Sequence, residues 1–239
     1  MKVKKITNVM RKILPVDYCG AVIVAAGNAS RMGGIDKVMA TLAGEPMIVR
    51  TVRTFQETNV ISEIVIVTRE DLVAPVMELC KQFPKVTAVV VGGSCRQESV
   101  EAGLSALSSM VKLVAVHDGA RPLITPEVID RTVRAAHAYS AAAPAVPVKD
   151  TVKVVTGGIV RETPDRATLR AVQTPQVFDL DLLKGALKMT AKDGVELTDD
   201  CSAVEYMKMS VRIVEGDERN LKVTTPMDLR IAQMLLEEM

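Results

Sequence analysis

The stretch Ala21-Val22-Ile23-Val24-Ala25 is apolar at every position and runs directly into Ala26-Gly27. Unbroken rather than alternating hydrophobicity marks a strand covered on both faces, as in a parallel sheet between helices. Five more short runs of this kind, at 64–67, 87–91, 113–116, 145–148 and 211–214, are candidate strands. Helical patterns at 47–55, 71–83 and 97–107 separate the first four. In the first of these, Ile48, Val52 and Phe55 share a face while Arg50 and Arg53 point away. Thr125-Pro126-Glu127 and Thr225-Pro226-Met227-Asp228 each place a capping residue before a proline at the first helical position. Alternating strand and helix predicts an α/β fold with a mostly parallel central sheet.

Residues 149–176 break the alternation. Two β-prone runs, 152–155 and 158–160, flank Thr156-Gly157-Gly158 and predict a hairpin. The segment is too short for a domain, so it is expected to be an arm, about 149–172, projecting from a single domain of residues 19–239. Arg161, Arg166 and Arg170 lie close to its base. The full expectation is a Rossmann-like three-layer sandwich with a projecting β-hairpin arm. Residues 1–18 are read as a basic amphipathic extension: Ile6, Val9, Met10, Ile13 and Leu14 fall on one helical stripe that Pro15 stops.

Composition removes several functional classes. The chain of 239 residues has a net charge of +1 and only 3% aromatic residues, so neither a basic footprint nor a stacking platform for nucleic acid is present. Four scattered cysteines and two histidines give little basis for a zinc site, and the reduced thiols fit a cytoplasmic protein. No apolar stretch approaches the roughly 20 residues that span a bilayer.

In parallel α/β sheets, ligands sit beyond the carboxyl ends of the strands. Those ends read Ala25-Ala26-Gly27, Gly92-Gly93-Ser94, His117-Asp118-Gly119-Ala120-Arg121, Lys149-Asp150-Thr151 and Glu215-Gly216-Asp217. Gly27 frees the backbone for close approach, and Arg31 and Lys37 follow it: N–H groups and fixed cations make a cradle for phosphate. Two familiar phosphate motifs fail here. Met32 stands where the second glycine of a P-loop belongs, and Ala29 where the dinucleotide fingerprint needs glycine.

What stands instead is A-A-G-x-x-x-R-M-x-x-x-x-K. With "GGSCRQESV" (92–100), "VHDGARP" (116–122), "VKDTVK" (148–153), "QTPQVF" (173–178), "TDDCSAVE" (198–205) and "EGDERNLKVTTPMDL" (215–229), it resembles the 2-C-methyl-D-erythritol 4-phosphate cytidylyltransferase family. That family lies within the sugar-nucleotide type of nucleotidyltransferases. The resemblance runs in order from about Cys19 to the C-terminus and implies a reaction of CTP with 2-C-methyl-D-erythritol 4-phosphate that gives the CDP-alcohol and releases pyrophosphate, in non-mevalonate isoprenoid precursor synthesis. It implies transition-state stabilisation by Arg31 and Lys37, and orientation of the attacking phosphate by Lys222. Arg166, Arg121, Thr151 and Thr174 are implied to grip the alcohol phosphate, and Gly93, Ser94 and Ser99 to read cytosine. Asp118 stands where ribose, substrate or a magnesium shell could use a carboxylate. Magnesium is expected to be held mainly by phosphates. The family's arm crosses to a neighbouring subunit, which implies a homodimer sharing Arg166. Asp36 precedes Lys37 where many members have proline. The alternatives are the same transfer to another polyol phosphate, such as ribitol 5-phosphate, and a non-catalytic nucleotide-binding protein of the same fold.

Overall fold

The computed structural model describes residues 18–27 and 38–238. The amphipathic stripe of the N-terminal extension, and both Arg31 and Lys37, lie outside the described residues. In chain order the elements are β1 (Cys19–Val24), β2 (Thr41–Leu42), β3 (Glu45–Pro46), α1 (Met47–Glu57), β4 (Ile61–Thr68), α2 (Val73–Cys80), β5 (Val86–Val91), α3 (Arg96–Ala106) and β6 (Leu113–Asp118). They continue with α4 (Pro126–Tyr139), β7 (Ala141–Pro147), β8 (Val154–Thr156), β9 (Ile159–Glu162), β10 (Arg170–Val172), β11 (Gln176–Asp179), α5 (Leu180–Lys192), α6 (Asp200–Tyr206), β12 (Arg212–Glu215) and α7 (Pro226–Glu237).

β1 is flanked by β4 and β6, both parallel to it, and β5 extends the sheet from β4. β11 runs antiparallel between β6 and β7, while β10 and β12 pair with β7, antiparallel and parallel respectively. The sheet is therefore mostly parallel, as the unbroken apolar runs require. Neighbouring side chains of β1 enter opposite cores. Ala21 and Ile23 pack with Ile48, Val52 and Phe55 of α1, Val76 of α2 and Val128 of α4. Val22 packs with Val100 and Leu104 of α3, Leu183 and Leu187 of α5, and Val204 of α6. Helices on both faces make the three layers.

Three features differ from the sequence reading. β7 starts four residues earlier than expected, because Ala141, Ala142 and Ala143 are wholly buried in the sheet despite alanine's helical preference. The helical pattern at 71–83 holds only over Val73–Cys80, preceded by a 3-10 turn at Glu70–Leu72. β2, β3, β10, β11, α5 and α6 are additional elements.

The hairpin forms as a separate two-stranded sheet of β8 and β9. Thr156 pairs with Ile159 across Gly157 and Gly158, whose φ of 57° and 78° are the left-handed values a two-residue hairpin turn demands. All residues of both strands are exposed. Among the described residues, no helix is long and apolar enough to cross a membrane.

Candidate active site

A cleft of about 480 Å³ opens at the carboxyl ends of β1, β5 and β6. Its floor is Ala25-Ala26-Gly27, held by Ala25 N–H donating to Val67 O at 2.7 Å. One wall is the 92–99 segment, which passes from β5 into α3. Gly92 lies so close to β1 that a Cβ there would meet the Ala26 Cβ at 2.5 Å and Ser99 Oγ at 2.8 Å. Only glycine lets this wall approach the floor.

The wall is fixed by its own side chains. Ser99 Oγ donates to Cys95 O at 2.9 Å and accepts Gly93 N–H at 3.2 Å. Glu98 Oε2 accepts the backbone N–H of Ser94 at 2.6 Å and its hydroxyl at 2.8 Å. The hydrogen of the Ser99 hydroxyl is thereby occupied, leaving that oxygen as an acceptor toward the cleft.

Opposite the wall stands Asp118, the last residue of β6. Its carboxylate lies 2.9 Å from Lys222 Nζ, 3.5 Å from Arg121 Nε and 3.8 Å from Arg96 Nη2. Burial alone would raise its pKa, but Lys222 and Arg96, with Arg121, overcome that and hold it down at about 2. Arg96 is anchored from behind by Asp200, at 2.7 Å, at the start of α6.

Beneath Asp118 the hydrogen bonds have one consistent direction. Arg121 O can only accept, so His117 Nε2, at 3.3 Å, carries a hydrogen. Burial lowers the His117 pKa to about 3, so the ring is neutral and Nδ1 is an acceptor. Thr174 Oγ1, at 2.9 Å, therefore donates to Nδ1 and in turn accepts Asp118 N–H at 3.1 Å.

Of the residues singled out in sequence, Ala25, Ala26, Gly27, Gly93, Ser94, Ser99, Asp118 and Lys222 line one cleft. Arg121 and Thr174 stand behind Asp118. The expectation that Thr174 donates to a substrate meets a physical obstacle, since its hydrogen is already taken by His117. Thr151 and Arg166 do not line the cleft of their own chain; both are exposed, and Arg166 Nη1 donates to Lys149 O at 2.6 Å. Arg96 lines the cleft and was missed. Its place inside "GGSCRQESV", at the start of a helix that follows a glycine turn, was the available signal.

The model of the 2-C-methyl-D-erythritol 4-phosphate cytidylyltransferase family matches residues 19–238. The protein of that name from Symbiobacterium thermophilum is 48% identical over 219 residues, covering 91% of this chain and 92% of its own length. The one from Dehalococcoides mccartyi is 44% identical over 222 residues, covering 92% and 96%. Among solved structures, the 4-diphosphocytidyl-2C-methyl-D-erythritol synthase of Anaerococcus prevotii superposes with a TM-score of 0.84 at 29% identity, over 92% of this chain and 96% of that one. The Thermus thermophilus 2-C-methyl-D-erythritol 4-phosphate cytidylyltransferase does so with a TM-score of 0.76 at 30% identity, over 92% and 99%.

Proposed function

The chain belongs to the 2-C-methyl-D-erythritol 4-phosphate cytidylyltransferase family, and we propose how its own residues divide the work of that transfer. The reaction moves the cytidylyl group of CTP to 2-C-methyl-D-erythritol 4-phosphate and releases pyrophosphate, a step of isoprenoid precursor synthesis. A phosphate oxygen forms a bond to the α-phosphorus while the bond from that phosphorus to the pyrophosphate oxygen breaks.

The attacking group needs no general base, because the second pKa of a phosphate monoester is about 6 and the dianion predominates at neutral pH. His117 supports this reading: it is buried, neutral and bonded at both nitrogens. Positive charge around the reacting phosphates is the main requirement. Lys222, held over the cleft by Asp118, is the observation that carries the assignment. It orients the attacking phosphate beside the α-phosphate. Arg31 and Lys37 stabilise the charge that builds at phosphorus and on the leaving group, a role that rests on the sequence.

The 92–99 wall reads the base. An acceptor at Ser99 Oγ suits the exocyclic amino group of cytosine and leaves the carbonyl oxygen of uracil facing a lone pair. Magnesium suits the donor set as an ion carried in on CTP. Asp118 is an ionised hard-oxygen donor that lines the cleft. When bound, the ion would shield the charge of the phosphates, with Asp118 as its protein ligand.

Arg166 and Thr151 serve the site of a second subunit. Val154, Val155, Ile159 and Val160 of the hairpin are 44%, 52%, 60% and 54% exposed, an apolar surface that a second copy would cover. The protein is then a homodimer with crossing arms, and its buried unpaired thiols at Cys19, Cys80 and Cys201 fit the cytoplasm.

Pyrophosphate release from CTP, measured in parallel with 2-C-methyl-D-erythritol 4-phosphate and ribitol 5-phosphate, tests the substrate. Faster turnover of the ribitol compound would overturn the assignment. Mixing inactive Lys222→Met and Arg166→Ala proteins tests the arm. Random exchange of crossed subunits restores about one quarter of the wild-type activity, and silent mixed dimers would refute the crossing.

A further inference from the structure

We propose that Gln173 and Asn220 are positioning residues for Lys222, a deepening that rests on the reading of Lys222 as the group that orients the reacting phosphates. Lys222 lies between β12 and α7, in a segment without helix or strand. Irregular backbone places a charged side chain reproducibly only when other bonds fix it. Here two buried side-chain amides supply them, Gln173 at 6% exposure and Asn220 at 0%.

Gln173 treats Asp217 as a strand would. Its Nε2 donates to Asp217 O at 2.8 Å and its Oε1 accepts Asp217 N–H at 3.3 Å. Asn220 Nδ2 donates to Thr174 O at 2.9 Å and lies 3.5 Å from Gln173 Oε1. The orientations of both amides follow from their partners, since a backbone carbonyl can only accept and a backbone N–H can only donate. The backbone carbonyl of Asn220 accepts from Arg121 Nη1 at 2.7 Å. Gly216 makes room for the brace: a Cβ there would sit 2.6 Å from Gln173 Oε1. Past Lys222, Val223 is fully buried and its N–H donates to Ala120 O at 2.8 Å. The lysine backbone is thus pinned on both sides.

Adjacent residues also set both halves of the ion pair. Gln173 fixes the segment that carries Lys222, while Thr174 holds the backbone N–H of Asp118. A shift of this dipeptide would move the ammonium and the carboxylate that faces it. Geometry matters here because misplacement by about 1 Å can cost a hundredfold in rate.

The test uses the full-length protein and separates kcat from KM. Gln173→Met keeps the volume and removes both bonds. It is expected to lower kcat about 10- to 100-fold while KM for CTP changes less than about threefold, because the 92–99 wall is untouched. Gln173→Glu adds a readout that a merely structural role would not move. A buried carboxyl has a raised pKa, and its protonated form regains a donor for Asp217 O. The kcat of Gln173→Glu relative to wild type should therefore climb as pH falls from 8 to 6, while the ratio for Gln173→Met stays flat. Asn220→Ala, read in the same assay, serves if the Gln173 variants fold poorly, and should also lose kcat about 10-fold or more. The kcat is expressed per CTP-binding site, so unfolded protein does not count as lost catalysis. Variants within twofold of wild type per site would overturn the proposal, as would parallel pH ratios. Lys222→Met is the control: if it keeps wild-type kcat, the role of the lysine fails, whereas a dead Lys222→Met beside unimpaired Gln173 and Asn220 variants refutes the brace alone.

Discussion

Lys222 closes a 2.9 Å ion pair with Asp118 across 104 residues of chain, joining the segment before the last helix to the end of a central strand. The carboxylate also faces Arg121 and Arg96, so one buried anion organises three cations. Asp118→Asn keeps the shape and removes the charge. The variant is expected to lose about 1–3 kcal/mol of stability, the usual effect of removing a charged partner from a largely buried network. It should also lose about 10²-fold in kcat/KM, because Lys222 loses its positioning contact. Urea unfolding and steady-state kinetics check the two effects. An unchanged kcat/KM would refute Asp118 as the organiser of the cleft.

His117 predicts how stability depends on pH. Its folded pKa of about 3 lies below the ordinary 6.5 because the ring is buried. Between these values the unfolded chain binds more protons than the folded one, so stability rises with pH across this window. The contribution is fully present above about pH 6.5 and is lost as pH falls toward 3. About 2 kcal/mol of it should disappear between pH 7 and pH 5. His117→Gln has no ionisable group and can still donate toward Arg121 O. It should be less stable at pH 7, and its stability curve should be flatter between pH 7 and 5. A variant as steep as wild type in that range would assign the dependence to other groups. Asp118, held down at about 2, adds its own loss only below about pH 4.

The sequence carried the frame of this fold because burial on both faces leaves a visible mark: the runs around Ile23, Ile66 and Val116 are apolar without interruption. It also carried part of the cleft, since Gly27, Gly92, Gly93 and Asp118 stand at strand ends for reasons that are local. What it hid is relational. Ala141–Ala143 are a strand only because helices on both faces need small residues beneath them, and alanine has no local preference that says so. The same limit applies to Arg96, whose meaning depends on Asp200 more than a hundred residues away. Thr174 looked like a substrate donor because its neighbours matched a motif, yet only a folded chain reveals that His117 takes its hydrogen.

Cys95 offers a chemical reporter of CTP. It is the exposed cysteine among four, and it lines the cleft at the start of α3. Burial raises the pKa of the Cys80 thiol to about 11 and pushes Cys19 and Cys201 higher. Thiolate is the reactive form, so a mild alkylating reagent should modify one residue quickly in the folded protein. Saturating CTP should slow that modification about tenfold or more by covering the thiol. Mass spectrometry with and without CTP reads both outcomes. Equal rates would place the nucleotide away from the 92–99 wall.

Gly103 tests how closely α3 must approach the sheet to hold that wall. A Cβ at this position would meet Val22 Cγ1 at 2.4 Å and Val67 Cγ2 at 2.9 Å, both on fully buried side chains. Gly103→Ala gains about 1 kcal/mol of helix propensity. Against this, forcing a methyl group into a packed core costs about 1–3 kcal/mol, and two valines on neighbouring strands must shift together. Packing should win, giving a net destabilisation of up to about 2 kcal/mol in denaturant unfolding. Because α3 begins at Arg96, any retreat of the helix also displaces the wall, so KM for CTP should rise by a few fold as stability falls. A variant more stable than wild type would mean that α3 stands further from the sheet than these distances require.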